Sequence, residues 1–109
     1  MTAKTKKPVV KKKPLKTPEA LLLKSNLKTF SGAANLYRLS RPLKDYDGKG
    51  HRFVIVSAKD VMFSGPETYI FPATEDGEIV DWMEMPGSFR GSLDHNQALR
   101  NAGYEVVDG

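Results

Sequence analysis

The chain contains no cysteine, which excludes a disulfide framework and any thiolate metal site and is compatible with a reducing compartment. Histidine is nearly absent too, with only His51 and His95, and neither sits in a spacing such as H-E-x-x-H. No zinc, other metal or cofactor is therefore expected. Long apolar runs are missing as well. The longest, Ala20 to Leu23 and Phe53 to Val56, are far too short to cross a bilayer, and no secretory apolar region follows the N-terminus. The expectation is a soluble cytoplasmic protein without a membrane partner. Acidic residues are absent before Glu19 and arginine is absent before Arg38, so one stretch of the chain has charge of a single sign, supplied by lysine alone.

That stretch is the strongest signal in the sequence. Lys4, Lys6, Lys7, Lys11, Lys12, Lys13 and Lys16 give residues 1–17 a charge of +7. The rest of the 109-residue chain carries ten Lys and Arg against thirteen Asp and Glu, or −3, so the formal net +4 describes neither part. Pro8 and Pro14 interrupt any helix, and no aromatic group is present to seed a core. Residues 1–17 accordingly read as a disordered arm. Closely spaced ammonium groups displace counterions from a phosphate backbone without needing a fold and without reading bases. The seven lysines are thus candidate contacts to nucleic acid, DNA or RNA. Without arginine's bidentate fork, such contacts should be weak and salt-sensitive. A solubilising tail, or a tail read by a targeting receptor, fits the same residues.

Residues 18–30 read as a short amphipathic helix or linker. Thr17 can cap, Pro18 suits a first helical turn, and Leu23, Leu27 and Phe30 recur at helical spacing while Lys24 and Lys28 take another face. Strand patterns follow within a body spanning residues 31–109. Asn35 to Ser40 and Arg52 to Ala58 flank a polar turn through Asp47-Gly48-Lys49-Gly50, and the Phe53-Val54-Ile55-Val56 centre predicts an interior strand. Glu67 to Ala73 and Glu78 to Met83 predict a hairpin turned at Glu75-Asp76-Gly77. A helix is predicted over Leu93 to Ala102 with Ser92 as cap and Gly103 ending it, followed by a short strand over Glu105 to Val107. The expected fold class is α+β: a mainly antiparallel sheet of about four strands packed by one C-terminal helix, with the short N-terminal helix and the arm outside it.

The charge asymmetry extends from the arm into the body. From Asp60 onward there are ten acidic residues against Arg90 and Arg100, whereas residues 1–59 hold fifteen basic and three acidic. Glu75, Asp76, Glu78, Asp81 and Glu84 crowd the predicted hairpin, where they can hold the arm, face a basic protein or form an ordinary solvated face. His95 shares helical spacing with Ala98, Leu99 and Ala102 and so reads as a packing histidine. A catalytic or metal cluster of Asp94, His95, Asp81 and Glu84 lacks any supporting spacing, and nucleophile, base and oxyanion donors cannot be named together. No enzyme is expected. Tyr37, Tyr69 and Trp82 form a stacking platform if one sheet face is uncovered, although a body this small needs most of its aromatics for its core. Phe89, beside Arg90 in a loop between Gly87 and Gly91, is the aromatic most expected to be exposed, and the two are candidate anchors for a protein partner.

The segments Leu36-Tyr37-Arg38-Leu39-Ser40, Gly65 to Ala73, and Gly87-Ser88-Phe89-Arg90-Gly91 through Asp94-His95 to Ala102-Gly103-Tyr104 resemble small uncharacterised proteins of actinobacteriophages and their hosts, over about residues 35–107. The resemblance implies a bacterial-host cytoplasm and action by binding a host or viral macromolecule. It carries no functional residues onto this chain, and it does not cover the arm. The resulting expectation is a non-enzymatic phage accessory protein that binds nucleic acid weakly through the arm while its body binds a host or viral protein. The alternative is a pure protein-interaction module with a solubilising or docking tail. The sequence does not set an oligomeric state.

Overall fold

Residues 33–44 and 50–61, with apolar side chains at successive positions such as Leu36-Tyr37 and Phe53 to Val56, become the longest strands of a sheet that buries side chains on both faces. In a computed structural model, which describes residues 17–28 and 32–108, the elements are β1 (Glu19–Lys24), β2 (Ala33–Lys44), β3 (Gly50–Val61), β4 (Gly65–Pro72), β5 (Phe89–Arg90), α1 (His95–Asn101) and β6 (Glu105–Asp108). They form one curled six-stranded sheet in the order β5-β4-β3-β2-β1-β6. All neighbours are antiparallel except β1 and β6. As its sequence predicts, β3 is interior.

The expected four-stranded sheet with an N-terminal helix is wrong, and residues 19–24 are where it fails. Instead of a helix, they form β1, inserted between β2 and β6, with Ala20 opposite Leu39 on one side and Val106 on the other. Ala20 is fully buried there. Glu105 N–H donates to the Pro18 carbonyl (2.9 Å) and Glu19 N–H to Ser40 Oγ (2.8 Å), so the backbone is tied on both sides before the strand proper begins. Asn26, in the left-handed region at φ 55°, turns the chain away. The end of the expected helix, residues 29 and 30, lies outside the described residues.

The predicted 78–83 strand is also absent. The turn itself forms, with Gly77 at φ 93° and Thr74 N–H donating to the Glu78 carbonyl, but only a single bridge, Ala73 to Ile79, follows. The outer edge of β4 is covered in three short pieces. Val80 N–H donates to Pro72, Met85 N–H to Ile70, and β5 pairs with Glu67 and Thr68. Phe89 and Arg90 therefore lie in a strand rather than a loop.

The sheet has two apolar faces. On one, Tyr37, Leu39, Val54, Val56 and Ile70 meet Met85, Ala98, Leu99 and Tyr104, and this is where α1 packs. On the other, Ala34, Leu36, Ile55 and Ala73 are covered by Leu27, Phe53 and Ile79. Each fully buried aliphatic side chain contributes about 1.5–3 kcal/mol, so the larger α1 face dominates. The helix is shorter than predicted and is capped by Asp94, not Ser92, with Asp94 Oδ1 accepting from Gln97 N–H. Gly87 sets how closely β4 and α1 approach, since a Cβ there would lie 2.6 Å from the Ala98 carbonyl oxygen.

Candidate functional site

Four groupings of polar or exposed side chains arise from this architecture. The first is the β2–β3 turn. Asp45, buried, accepts from the Asp47 and Lys49 amides (both 2.9 Å) through Oδ1 and meets His51 Nε2 at 2.9 Å through Oδ2. The bond to His51, then that to the Lys49 amide, holds its carboxyl below the usual carboxylate value. These are turn-building contacts. Beside them opens a groove of about 470 Å³ between the turn and Val80, Asp81 and Met83.

The second grouping surrounds Arg90. Tyr69 OH donates to Glu67 Oε1 (2.5 Å), Arg90 Nε donates to Glu67 Oε2 (3.1 Å) and Arg90 Nη2 donates to Tyr69 OH (3.2 Å). Glu67 is buried, whereas the Arg90 side chain is 68% exposed. Its bond to Glu67 raises the Tyr69 phenol above its ordinary value, and the bonds to Tyr69 and Glu67 raise the Arg90 guanidinium. Arg90 is thus a fixed, outward cation. Phe89 is half-buried and packs on the α1-side core, so it is not the exposed aromatic that its flanking glycines suggest.

The third is a cleft of about 300 Å³ that Asn35, Tyr37, Asp94 and His95 help to line. His95 Nε2 lies 2.8 Å from the Ala33 carbonyl, which can only accept, so that nitrogen carries the proton. Asp94 is spent as the helix cap. The contemplated cluster of Asp94, His95, Asp81 and Glu84 is not assembled, because Asp81 lines the groove at the β2–β3 turn instead. Among the described residues, no group of three or more His, Asp or Glu is placed to hold a metal ion. Tyr37 is buried on the α1 face, while Tyr69, Phe71 and Trp82 line up on the other face with ring centroids 6.0 and 5.3 Å apart. The three-aromatic platform of Tyr37, Tyr69 and Trp82 does not form.

The fourth grouping is one that sequence reasoning misses. The β3–β4 turn projects Met62 (77% exposed) and Phe63 (101% exposed), and Phe63 sits at φ 73°. A bulky side chain in the left-handed region is an outlier costing about 1–3 kcal/mol. The sequence signal is an apolar pair lying between two strand patterns, at a place where the chain must turn.

Charge is partitioned across the sheet. Lys24, Lys28, Arg38, Arg41, Lys44, Lys49, Arg52 and Lys59, all on or beside β1–β3, are exposed, and among the described residues none is in an ion pair. The arm lysines Lys4, Lys6, Lys7, Lys11, Lys12, Lys13 and Lys16 lie outside the described residues. Among those described, no helix is long and apolar enough to cross a membrane. Comparison of the chain with protein-family models, curated proteins and solved structures gives no match in any of the three.

Proposed function

We propose that this protein is a non-enzymatic accessory factor that binds nucleic acid weakly and without sequence preference through the Lys-rich arm and the basic β1–β3 half, while its body engages a protein. The observation that carries the first part is the continuity of charge. In sequence the arm runs directly into β1, and the strands and turns beside it expose eight cations, none of them in an ion pair among the described residues. Flexible lysines followed by a fixed basic surface suit a phosphate backbone, which offers regular charge and demands no base contact. The second part draws on the Met62–Phe63 tip, since a strained, fully exposed aromatic fits a concave apolar pocket on a partner. The resemblance to small actinobacteriophage proteins makes a host or viral protein the first partner to seek.

The test is binding of a fluorescent duplex of about 20 base pairs, long enough to offer more phosphates than the arm has lysines, by the full chain and by a full-length variant with all seven arm lysines changed to Gln. Loss of at least tenfold in affinity supports the reading, and equal affinity removes the arm from it. A pull-down from host lysate, with and without nuclease, adds Phe63→Gly. A partner that survives nuclease but not this substitution supports the tip as anchor.

A further inference from the structure

We propose that the groove between the β2–β3 turn and residues 80–83 is the seat of the chain's own Lys-rich arm, which nucleic acid must displace. Val80 (53% exposed) and Met83 line the groove, and Trp82 (66% exposed) stands in sequence between the lining residues Asp81 and Met83 with its ring against Phe71. Asp47 and Asp81 line it against a single lysine, Lys49, and the adjoining chain adds exposed Glu75, Asp76, Glu78 and Glu84 without any cation. The surface is therefore an apolar strip with an acidic rim. The arm has the complementary pattern: Pro8-Val9-Val10 stands between Lys6-Lys7 and Lys11-Lys12-Lys13, and Leu15 between Pro14 and Lys16. Apolar residues can occupy the strip while the flanking ammonium groups face the rim.

Topology places the two within reach. The arm joins the body at Thr17-Pro18, where β1 begins, and β1 begins at the end of the sheet where β2 turns into β3 and β4 stops. Residues 73–84 leave β4 at that same end. From β1 to β4 is three strand spacings, about 14 Å. Seven extended residues, enough to bring Val10 back from Thr17, span about 24 Å. Docking within one chain is thus geometrically easy, and a short tether raises the effective concentration of the arm at the groove to the millimolar range. The regulatory consequence rests on the arm binding nucleic acid, whereas the docking itself does not.

Trp82 is the only tryptophan and, exposed between the lining residues Asp81 and Met83, reports on chain seated beside it. Acrylamide, being uncharged, would be used to quench its fluorescence in the full-length protein without nucleic acid, and in the full-length variant with the seven arm lysines changed to Gln. At low salt the native chain should show a quenching constant about twofold lower, independent of protein concentration, with the two chains converging in molar salt. Asp81→Asn with Glu84→Gln, which leaves the Asp81 Oδ1 acceptor for Met83 N–H in place, should raise quenching likewise. That double variant should also raise duplex affinity about threefold to tenfold, as expected if the arm is sequestered about 70–90% of the time, and should have no such effect in the arm-neutralised chain. Equal quenching of native and arm-neutralised chains at low salt overturns the proposal. Protection that grows with protein concentration overturns it in favour of an arm from a second copy. If quenching behaves as stated but neither chain binds duplex, the docking stands and the nucleic-acid reading falls.

Discussion

Residues 17–59 and 60–108 contribute to the same sheet but use charge in opposite ways. In the first stretch eight cations are exposed and, among the described residues, outside any ion pair, and the buried acid Asp45 is committed to its own turn. In the second, ten acids accompany only Arg90 and Arg100, and Arg90 is drawn onto buried Glu67 and Tyr69. The contrast separates polar groups the fold requires from those it does not. Asp45, Glu67 and Thr68, the buried polar residues, each satisfy backbone or side-chain donors and acceptors around them. Of the exposed lysines and arginines of β1–β3, Arg52 donates to the Leu39 and Ser40 carbonyls, and the others are the cations on which the proposed contact to nucleic acid rests.

The largest expected effect lies in the acidic half. Gly87→Ala places a Cβ 2.6 Å from the Ala98 carbonyl oxygen and 2.9 Å from Ala102 Cβ, at φ 106°, so both overpacking and backbone strain oppose it. A loss of about 3 kcal/mol or more in denaturant unfolding is expected. A smaller loss would mean that α1 can shift off β4.

Next comes Asp45→Asn in the basic half, which weakens the acceptor for two amides and the partner of His51 and should lower the melting temperature at neutral pH. Because the Asp45 carboxyl is held below its ordinary value of 3.8, its contribution is complete above the unfolded value and lost as pH falls through the folded one. The gap between native and variant melting temperatures should therefore close as pH drops below 3.8. A gap that persists in acid would show that the side-chain amide, not the charge, is at fault.

Phe63→Gly sharpens the distinction between groups the fold requires and groups it only exposes. It relieves the left-handed strain but adds freedom to the unfolded chain, so stability should change by between nothing and a gain of about 1 kcal/mol. The smallest stability effect belongs to Arg38→Gln with Lys59→Gln, expected within about 0.5 kcal/mol of the native protein. If these cations touch phosphate, the same pair should flatten the salt dependence of duplex binding by about 0.9 for each phosphate left unneutralised.

How much of this is legible from sequence depends on whether a pattern is local. The Phe53-Val54-Ile55-Val56 run carries its own evidence, and β3 lies inside the sheet. The last helix is readable from the apolar spacing of Ala98, Leu99 and Ala102, although its cap sits two residues later than Ser92. Residues 19–24 mislead because Leu23 and Leu27 happen to fall at helical spacing, whereas what fixes β1 is pairing with partners near Leu39 and Val106. Nothing within six residues can announce a parallel neighbour more than eighty positions away. The 78–83 strand fails for a similar reason: Trp82 turns onto Phe71 at 5.3 Å, and Met85, not the expected strand, takes up the next stretch of the β4 edge. At the site level, the lysines are evident from composition. The Met62–Phe63 tip is not, because its meaning depends on both flanking strands stopping short of it.

In the proposed function, arm and basic half together form one electrostatic surface for nucleic acid. Its most direct test is the slope of log affinity against log salt for a duplex, measured on the native full-length chain and on the chain with Lys4, Lys6, Lys7, Lys11, Lys12, Lys13 and Lys16 changed to Gln. A steep native slope is expected, approaching about −6 from the arm alone if all seven lysines engage, with a shallower but non-zero slope for the variant from the β1–β3 cations. Identical slopes for the two chains, or no measurable binding by the native chain at low salt, would contradict it.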